Sequence, residues 1–413
     1  MFICHKAMNK TDNNIIEKCT SFITDIIYVW WVELKNIFKD EGALIFMVVV
    51  PLAYPLLYSW IYNNEVVRDV PVAIVDMSHS TKSREFIQKL DATPDVKTTY
   101  FCNNIQEAKD LVGKQVVHGV IYFPEDFERA IGRGEQSHIG CYCDMSLMLT
   151  YKAIYQATQS VSLDMNTEIQ KPKSFSFTSR DEEINTKPLE FDEVNIFNTT
   201  GGYGNALLPG VLVLILQQTL LLGIGLLAGT AREKNPGNHL VPNSPHYSSA
   251  IPIITGKGLS YLMVYAVMAA YICLCVPRFF HFTTLINKWD LLTIMVPYLL
   301  AAIFFGLMLS CTIRYRENVM LLVVFTSVPF LFLAGVSWPL SNIPGIWQGI
   351  SWLIPSTFGI RAFLKLSSMG ADMSDIQTEY LALWLQTGIY FIASCLVYHH
   401  HIQRTKQPCE DEQ

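Results

Sequence analysis

Residues 319–370 read VMLLVVFTSVPFLFLAGVSWPLSNIPGIWQGISWLIPSTFGIRAFLKLSSMG. An apolar run of membrane-spanning length is followed by Trp338-Pro339, a short Ser-Asn-Ile-Pro-Gly turn, and a second apolar segment that is broken by Pro355. Such a hairpin is typical of a membrane protein and not of a soluble core. The composition agrees, because 51% of the 413 residues are hydrophobic and only 16% are charged.

Six uncharged runs are long enough to cross the hydrocarbon core of a bilayer as helices. They are residues 43–62, 206–229, 258–277, 291–311, 319–337 and 380–398. We therefore predict a polytopic α-helical membrane protein with six transmembrane helices. One helix precedes and five follow a long polar block, so that residues 206–398 form a five-helix transmembrane domain.

The segment before the first span divides into two parts. Residues 1–20 are predicted to be a polar cytoplasmic tail without a cleavable leader. Residues 21–40 place apolar side chains at helical spacing, and Trp30 and Trp31 are among them. Because tryptophan favours the headgroup layer, we predict an amphipathic helix in the membrane interface. Packing of this helix on another protein domain is the alternative.

The orientation follows from the Lys and Arg residues that flank the spans. Twelve lie on one side, and four lie on the other: Arg278, Lys288, Arg361 and Lys365. The positive-inside rule then places both termini in the cytoplasm, including the C-terminal tail 399–413. The loop 230–257 falls on the cytoplasmic side, and the hairpin 339–379 falls outside, as a shallow or re-entrant element without a seventh span.

The polar block, residues 63–203, is therefore expected to be an inserted extracytoplasmic α/β domain. Short runs typical of strands, at 70–76, 96–101, 119–123 and 138–144, alternate with runs typical of helices. This alternation predicts a mostly parallel sheet, with an irregular α+β domain as the alternative.

Charge and cysteine content set this block apart. It holds 14 Lys and Arg against 21 Asp and Glu, and much of the acidic excess lies in residues 181–193, which we expect to be a solvated linker. Its three cysteines, Cys102, Cys141 and Cys143, allow at most one internal disulfide. A bond from Cys102 to either of the others is conceivable.

The chain lacks the motifs of nucleotide hydrolysis and of common hydrolases. No GxxxxGK[ST], HExxH or GxSxG occurs, and the six runs contain no charged residue of the kind that secondary transporters use as relays. We expect no enzymatic activity, no metal site and no nucleic-acid binding from this chain. Energy for any transport has to come from a cytoplasmic partner. Gln217 and Gln218 either line a path or form hydrogen bonds between helices.

Three places in the chain resemble one family. The polar block opens with VPVAIVDMSHSTKSREFIQKL at 70–90 and continues with VHGVIYFPEDF at 117–127. Residues 231–257 begin with Ala-Arg-Glu and close with Gly-Lys, and residues 333–370 contain Ser-Trp-Pro, Ile-Pro, Trp and Leu-Ile-Pro-Ser in that order. Together they resemble the permease of type-2 ABC exporters, in the branch with a large extracytoplasmic domain between the first and second spans.

This resemblance implies a function and a set of partners. The chain would be the membrane subunit of an exporter that moves a hydrophobic or amphiphilic compound, such as a drug or lipid, out across the bacterial cytoplasmic (inner) membrane. It would pair with a second copy or a paralogue and bind two copies of a separate ATPase subunit, which holds Mg-ATP. A periplasmic adaptor protein is a further partner in this family.

The resemblance also implies roles for particular residues. Contact with the ATPase is expected from Trp30, Trp31, Glu33, Arg232, Glu233, Lys234 and Gly237. The path, formed by the second and fifth spans, is expected to include Gln217, Gln218, Pro329 and Phe330. The outer hairpin is marked by Trp338, Pro339, Pro344, Pro355, Arg361 and Lys365, and its two cations either snorkel to headgroups or receive an anionic group. The segment 234–239, Lys-Asn-Pro-Gly-Asn-His, departs from the family pattern, in which a Gly-Thr pair and an acidic residue follow Arg-Glu.

A function of a different class stays open at this point. The chain could be a membrane-anchored receptor or assembly scaffold, whose outer domain binds a ligand or an envelope partner and whose spans transport nothing. The presence of an ATPase partner distinguishes the two hypotheses.

Overall fold

A computed structural model of the chain describes residues 2–63, 67–170, 203–235, 238–282, 284–313 and 315–406. They belong to two compact units, one made of Met1–Asn63 and Ile196–Gln413 and the other of Asn64–Asn195. The acidic segment 181–193, Gly237 and Arg314, the last being one of the twelve cations counted for the orientation, lie outside the described residues.

The chain begins with two helices that meet at one residue. Helix α1 is Phe2–Lys39, and the first membrane-length helix, α2, is Glu41–Ile61. Asp40 between them has an extended backbone and accepts a hydrogen bond from the Ala43 N–H at 3.0 Å, so it caps α2. Helix α1 starts at Phe2, and the predicted helix 21–40 is only its second half. The predicted tail 1–20 is therefore helical almost throughout.

The unit of Asn64–Asn195 alternates strands and helices. Its elements are β1 (Val70–Asp76), α3 (Thr81–Asp91), β2 (Val96–Phe101), α4 (Ile105–Gly113), β3 (Gly119–Phe123), α5 (Phe127–Arg133), β4 (Gly140–Cys143) and α6 (Met148–Gln170). The sheet has the order β2-β1-β3-β4, in which β1 is parallel to β2 and β3, and β4 is antiparallel to β3. The first three strands occur where the sequence predicts them, and the fourth is shorter than predicted.

The two faces of this sheet have separate apolar cores. Val72, Ile74 and Ile121 pack with α3, α5 and α6 on one face, whereas Ala73, Val75 and Val120 pack with α4 on the other. This is the period-two alternation expected of strands covered on both sides. Cys102 packs with the second core, while Cys141 and Cys143 pack with the first. A disulfide from Cys102 to either of them is therefore excluded, because the sheet lies between the thiols.

The remaining helices complete the other unit. They are α7 (Tyr203–Lys234), α8 (Ala250–Phe279), α9 (Lys288–Ser310), α10 (Arg316–Leu333), α11 (Gly345–Ser351), α12 (Pro355–Ser367) and α13 (Gln377–Lys406). Six helices in the described part of the chain are long and apolar enough to cross a membrane: α2, α7, α8, α9, α10 and α13. The predicted six spans are thereby confirmed, and α11 and α12 are too short to be a seventh. Because α8 begins at Ala250, the loop predicted at 230–257 is confined to residues 235–249.

Proline positions explain two local irregularities of the spans. A π-helical turn, Ile45–Val49, precedes Pro51 in α2, and another, Tyr271–Cys275, precedes Pro277 in α8. Proline has no N–H and its ring crowds the carbonyl four residues earlier, which here is that of Met47 or Cys273. A wider turn at this place relieves the crowding without ending the helix.

Helix α7 lies at the centre of the bundle. Within the most apolar 18-residue stretch of each helix, 94% of α7 is buried inside the chain, against 17% of α10. Helices α2, α9, α10 and α12 surround it. The Tyr298 hydroxyl on α9 donates to the Val213 carbonyl at 2.8 Å, and the Tyr265 hydroxyl on α8 lies 3.0 Å from Thr219 Oγ1. These bonds satisfy hydroxyl groups that an apolar environment would otherwise leave unpaired.

Candidate functional site

A buried charged group joins α1 to α8. The Glu33 side chain is only 4% exposed, and its Oε1 lies 3.0 Å from Lys257 Nζ, whose side chain is 11% exposed. The Tyr261 hydroxyl donates to the same carboxylate oxygen. A buried carboxylate requires such compensation, and removal of one member leaves an unpaired charge. The cluster therefore fixes where α1 sits along α8.

Further contacts extend the seam between α1 and α8. The Ser260 hydroxyl donates to the Trp30 carbonyl at 2.8 Å, and His246, just before α8, lies 2.7 Å from Asp25 and stacks on the Tyr28 ring at 4.3 Å. Gly256 permits the close approach, because a Cβ at this position would lie 2.8 Å from the Ile26 carbonyl oxygen. The two helices pack backbone against backbone at this point.

A second polar group joins α1 and α2 to two other spans. We call it the Asp40 joint; it consists of Asp40, Thr230 at the end of α7 and Arg316 at the start of α10. Asp40 accepts from the Thr230 hydroxyl at 2.7 Å and from Arg316 Nη2 at 2.9 Å, besides its cap bond. Gly229 admits the arginine, since a Cβ there would lie 2.7 Å from Arg316 Cγ.

The ionisation of Asp40 reflects these partners. Burial by itself raises the pKa of this carboxyl, but the Ala43 N–H, the Thr230 hydroxyl and the Arg316 charge outweigh burial and hold the pKa below its usual value. The carboxylate is thus stabilised in its charged form at neutral pH. A cavity of about 70 Å³ lies beside it and is lined by Glu33, Asp40, Thr230, Lys234 and Lys257, among others. The cavity is thus lined by residues of both the Glu33–Lys257 cluster and the Asp40 joint.

Two of the residues predicted to contact an ATPase point inward. Glu33 is buried in the cluster with Lys257, and Arg232 is 8% exposed and donates to the Cys311 carbonyl at the end of α9. Neither offers a surface to another protein, so this part of the prediction is corrected. An isolated Arg-Glu pair in sequence does not show which member faces the interior. Glu233, Lys234 and Trp31 are exposed and Trp30 is partly so, and Gly237 lies outside the described residues.

The residues predicted for the path separate into two sets. Gln217 and Gln218 are buried in α7, whereas Pro329 in α10 is exposed and Phe330 packs partly against the core. Gln217 donates to Ser356 Oγ of α12 at 3.3 Å, which is the interhelical role that the sequence left open. The amide of Gln218 has no hydrogen-bond partner among the described residues. An amide buried in this way costs free energy, so its position in the central helix calls for a functional explanation.

The outer hairpin is fixed by its cations and amides. Arg361 donates to the carbonyls of Ala334 and Leu333 at 3.2 and 3.4 Å, at the end of α10. Lys365 lies 2.6 Å from Glu379 of α13, whose side chain is 9% exposed. Both cations therefore have partners in the same chain, and the two interpretations based on the sequence, snorkelling to headgroups or receiving an anionic group, stay predictions.

The other marked residues of the hairpin shape its ends. Gly335, at φ +84°, follows α10 in the left-handed conformation that ends helices. Pro344 precedes α11, and Pro355 occupies the first turn of α12, where its missing N–H costs nothing. Trp338 is exposed, and Pro339 precedes a short 3₁₀ turn. Gln386 of α13 donates to the Trp352 carbonyl at 2.7 Å and so holds the turn between α11 and α12.

Several of the organising residues were missed from the sequence. Asp40, Thr230, Arg316, Lys257 and Glu379 all lie at or just beyond the ends of apolar runs. Lys257 and Arg316 were counted only among the flanking cations that set the orientation, and Asp40, Thr230 and Glu379 were given no role. A signal did exist, because opposite charges at neighbouring span ends can pair, but choosing the partners requires the order of the helices in the bundle.

One comparison with known proteins gives a match. A family model described as ABC-2 family transporter protein matches residues 42–396. No curated protein matches the chain.

Proposed function

The chain belongs to the ABC-2 family of transporter proteins, and on that premise we propose that it exports a hydrophobic or amphiphilic compound across the bacterial cytoplasmic membrane. Family membership makes it a multi-pass membrane permease that works with an ABC ATPase subunit and most naturally as a dimer. The direction of transport, the class of substrate and the membrane are parts of our proposal, as is an extracytoplasmic position for the unit of Asn64–Asn195.

The observation that supports coupling to an ATPase is the Asp40 joint. One carboxylate connects the end of α1 and the start of α2 with α7 and α10. A force applied to α1 therefore reaches the central span and the least buried span through direct bonds. The cluster of Glu33, Lys257 and Tyr261 adds α8 to the same assembly.

In the proposed mechanism the ATPase contacts α1 and the exposed end of α7. Trp31, Glu233 and Lys234 present that surface. Closure of the ATPase on ATP has to bind one arrangement of these helices more tightly than the other, because only differential affinity shifts a conformational equilibrium. The polar clusters then transmit the shift as a rigid-body movement of α2, α7, α8 and α10.

We assign the contact with a second permease copy to α10. Its outward face is apolar and includes Leu321, Val324, Phe325, Val328 and Phe332. Helix α7, the other span that the resemblance assigns to the path, is 94% buried over its most apolar stretch and exposes too little surface to form a large interface. Between two copies of α10 the compound would meet apolar side chains, which accords with a hydrophobic or amphiphilic substrate.

The first experiment tests the ATPase contact by charge reversal. The double variant Glu233→Lys/Lys234→Glu preserves the net charge and alters only exposed side chains. We expect it to reach the membrane at the normal level but to lose substrate-stimulated ATP hydrolysis when it is purified with its ATPase. Lys288→Glu, an exposed charge at the start of α9, is the matched control.

Two outcomes would contradict the proposal. Unchanged export by the double variant would remove the ATPase contact from the end of α7. Failure of the unaltered chain to form any complex with an ATPase encoded beside it would favour the receptor or scaffold hypothesis instead.

The second experiment tests the assignment of α10. Val324→Cys should form a cross-linked dimer with a short thiol-specific reagent, and Ile392→Cys, which is exposed on α13, should not. Equal cross-linking at both positions would show that exposure to lipid alone explains the apolar face of α10.

A further inference from the structure

Two thiols lie in contact on the edge strand of the sheet. Cys141 and Cys143 are on the same face of β4, and their Sγ atoms are 3.4 Å apart. Both side chains are half-buried. No other element of the unit that the structure describes brings a third His, Cys, Asp or Glu close enough to complete a metal site with them. The geometry thus favours chemistry between the two sulfurs over metal coordination.

The backbone allows these two residues to be bonded. Residues two apart on a strand have Cα atoms separated by about 6.8 Å. Disulfides span Cα distances of roughly 4.4–6.8 Å, so the pair falls at the upper end of that range. The side chains already point at each other, and closure needs only a rotation of the sulfurs and a small bend of the strand. Because β4 is an edge strand, paired on one side only, it can bend more easily than an inner strand.

The two thiols differ in acidity. The hydrogen bond with Cys143 lowers the pKa of Cys141 to about 7, against the effect of burial, with the Thr158 hydroxyl helping. The same bond, together with burial, raises the pKa of Cys143. Cys141 is therefore the nucleophile of the pair, since the thiolate is the attacking species.

Cys141 is also the thiol that a reagent can reach. It lines a cavity of about 520 Å³ between α5, the segment that follows it and α6. The lining of this cavity also includes His138, Thr158 and Gln159. Cys102, by contrast, is only 8% exposed, lies on the opposite face of the sheet, and has a pKa raised by burial. Cys141 is therefore expected to react with reagents in solution, and Cys102 is not.

We propose that Cys141 and Cys143 form a redox-active dithiol–disulfide pair that exchanges with a disulfide-bearing oxidant. The Cys141 thiolate attacks one sulfur of the oxidant, forms a mixed disulfide and releases the first oxidant thiol. Cys143 then loses its proton and attacks the Cys141 sulfur, which releases the second. The pair gives up two electrons and two protons, and the oxidant disulfide becomes two thiols.

The test uses the full chain, purified in detergent. Trypsin cleaves after Arg133 and Lys152 and gives a peptide, residues 134–152, in which Cys141 and Cys143 are the only cysteines. After incubation with oxidised glutathione and acid quenching, we expect this peptide to be lighter by two hydrogens and to resist alkylation. After incubation with dithiothreitol it should take up two alkyl groups.

Variants make the result specific. Cys141→Ser should leave Cys143 slow to react with oxidised glutathione, whereas Cys143→Ser should leave a thiol at Cys141 that accumulates a stable glutathione adduct. Cys102→Ser is the matched control and should close the pair at the same rate as the unaltered chain. Persistent alkylation of both thiols after oxidation, or glutathione adducts on both without closure, would overturn the proposal.

The state of the pair in cells tests a different point. If the pair closes in vitro but is fully reduced when cells are quenched directly in acid, the redox proposal stands and the extracytoplasmic position of this unit is wrong. If the pair fails to close in vitro, the redox proposal fails whatever the position of the unit. The two failures are therefore distinguishable.

Discussion

Replacement of Asp40 by Asn separates the charge of the Asp40 joint from its helix-capping role. Asn caps helices as well as Asp does, so the bond from the Ala43 N–H can persist. Asp40 uses one carboxylate oxygen for Ala43 and Arg316 and the other for Thr230. An amide carries no charge, and its NH2 group can replace one carboxylate oxygen only by donating to the Thr230 hydroxyl, so the change removes the negative charge that pairs with Arg316.

The size of the loss follows from the exposure of the partners. Hydrogen bonds to charged groups contribute about 1.5–3 kcal/mol to the free energy of unfolding. The Asp40 side chain is 7% exposed but that of Arg316 is 33% exposed, so solvent screens part of the interaction. We expect Asp40→Asn to lower the free energy of unfolding by about 1–2 kcal/mol. Asp40→Ala should cost about 1 kcal/mol more, because it removes the cap as well.

Equilibrium unfolding in mixed micelles measures this difference. Glu41→Gln, which removes the neighbouring exposed carboxylate, is the control and should change stability by less than about 0.5 kcal/mol. A double-mutant cycle with Arg316→Gln isolates the contribution of the ion pair. If Asp40→Asn and Glu41→Gln are equally stable, the joint does not hold the helices together and our account of coupling is refuted.

The pH dependence has a definite sign. The pKa of Asp40 is lower in the folded protein than its usual value of 3.8, so its contribution is complete above 3.8 and disappears as the pH falls through the folded value. The difference between the unaltered chain and Asp40→Asn should therefore be constant between pH 7 and 5. A difference that already shrinks at pH 6 would point to another titrating group.

Two other predictions concern packing and a second ion pair. Gly256→Ala should destabilise the chain by about 1–3 kcal/mol, because the added Cβ meets the backbone of α1. Gly388→Ala is the control: a Cβ at this position meets nothing within 4 Å, so the change should be neutral or stabilising by up to about 1 kcal/mol. Thermal unfolding compares the two variants. Lys365→Gln should lower the free energy of unfolding by about 1–3 kcal/mol, because it leaves the Glu379 carboxylate buried without its cation. The double variant Lys365→Gln/Glu379→Gln should recover most of this loss in the same assay. A double variant no more stable than Lys365→Gln would show that the charge of Glu379 is not the cause.

The sequence predicted the elements well because their signals are local. An uncharged run of sufficient length has few alternatives to a span, and the strands 70–76 and 119–123 show the β-branched composition of buried strands. The start of α8 was misplaced because Lys257 was taken as the end of a loop. Its charge is tolerated within the helix only because Glu33, distant in sequence, lies against it.

The candidate site was predicted less well, and for a physical reason. Whether Arg232 faces a partner or the core depends on which carbonyl lies within its reach, and that carbonyl belongs to Cys311 on another span. The same holds for Arg361 and Lys365, whose partners come from α10 and α13. Hydropathy gives the length of each span but not its neighbours, so pairings between span ends cannot be derived from it.

Helix α10 combines weak lateral packing with strong attachment at its ends. Only 17% of its most apolar stretch is buried inside the chain. At its start, however, Arg316 binds Asp40, and at its end the carbonyls of Leu333 and Ala334 accept hydrogen bonds from Arg361 of α12. Apolar side contacts are non-directional and allow a helix to shift at little cost, whereas charged hydrogen bonds hold only over a narrow range of distance and angle. Movement of α10 therefore has to be accompanied by α1 and α2 at one end and by α12 at the other. The bonds of Arg316 and Arg361 thus favour a concerted movement of these helices over independent tilting of α10.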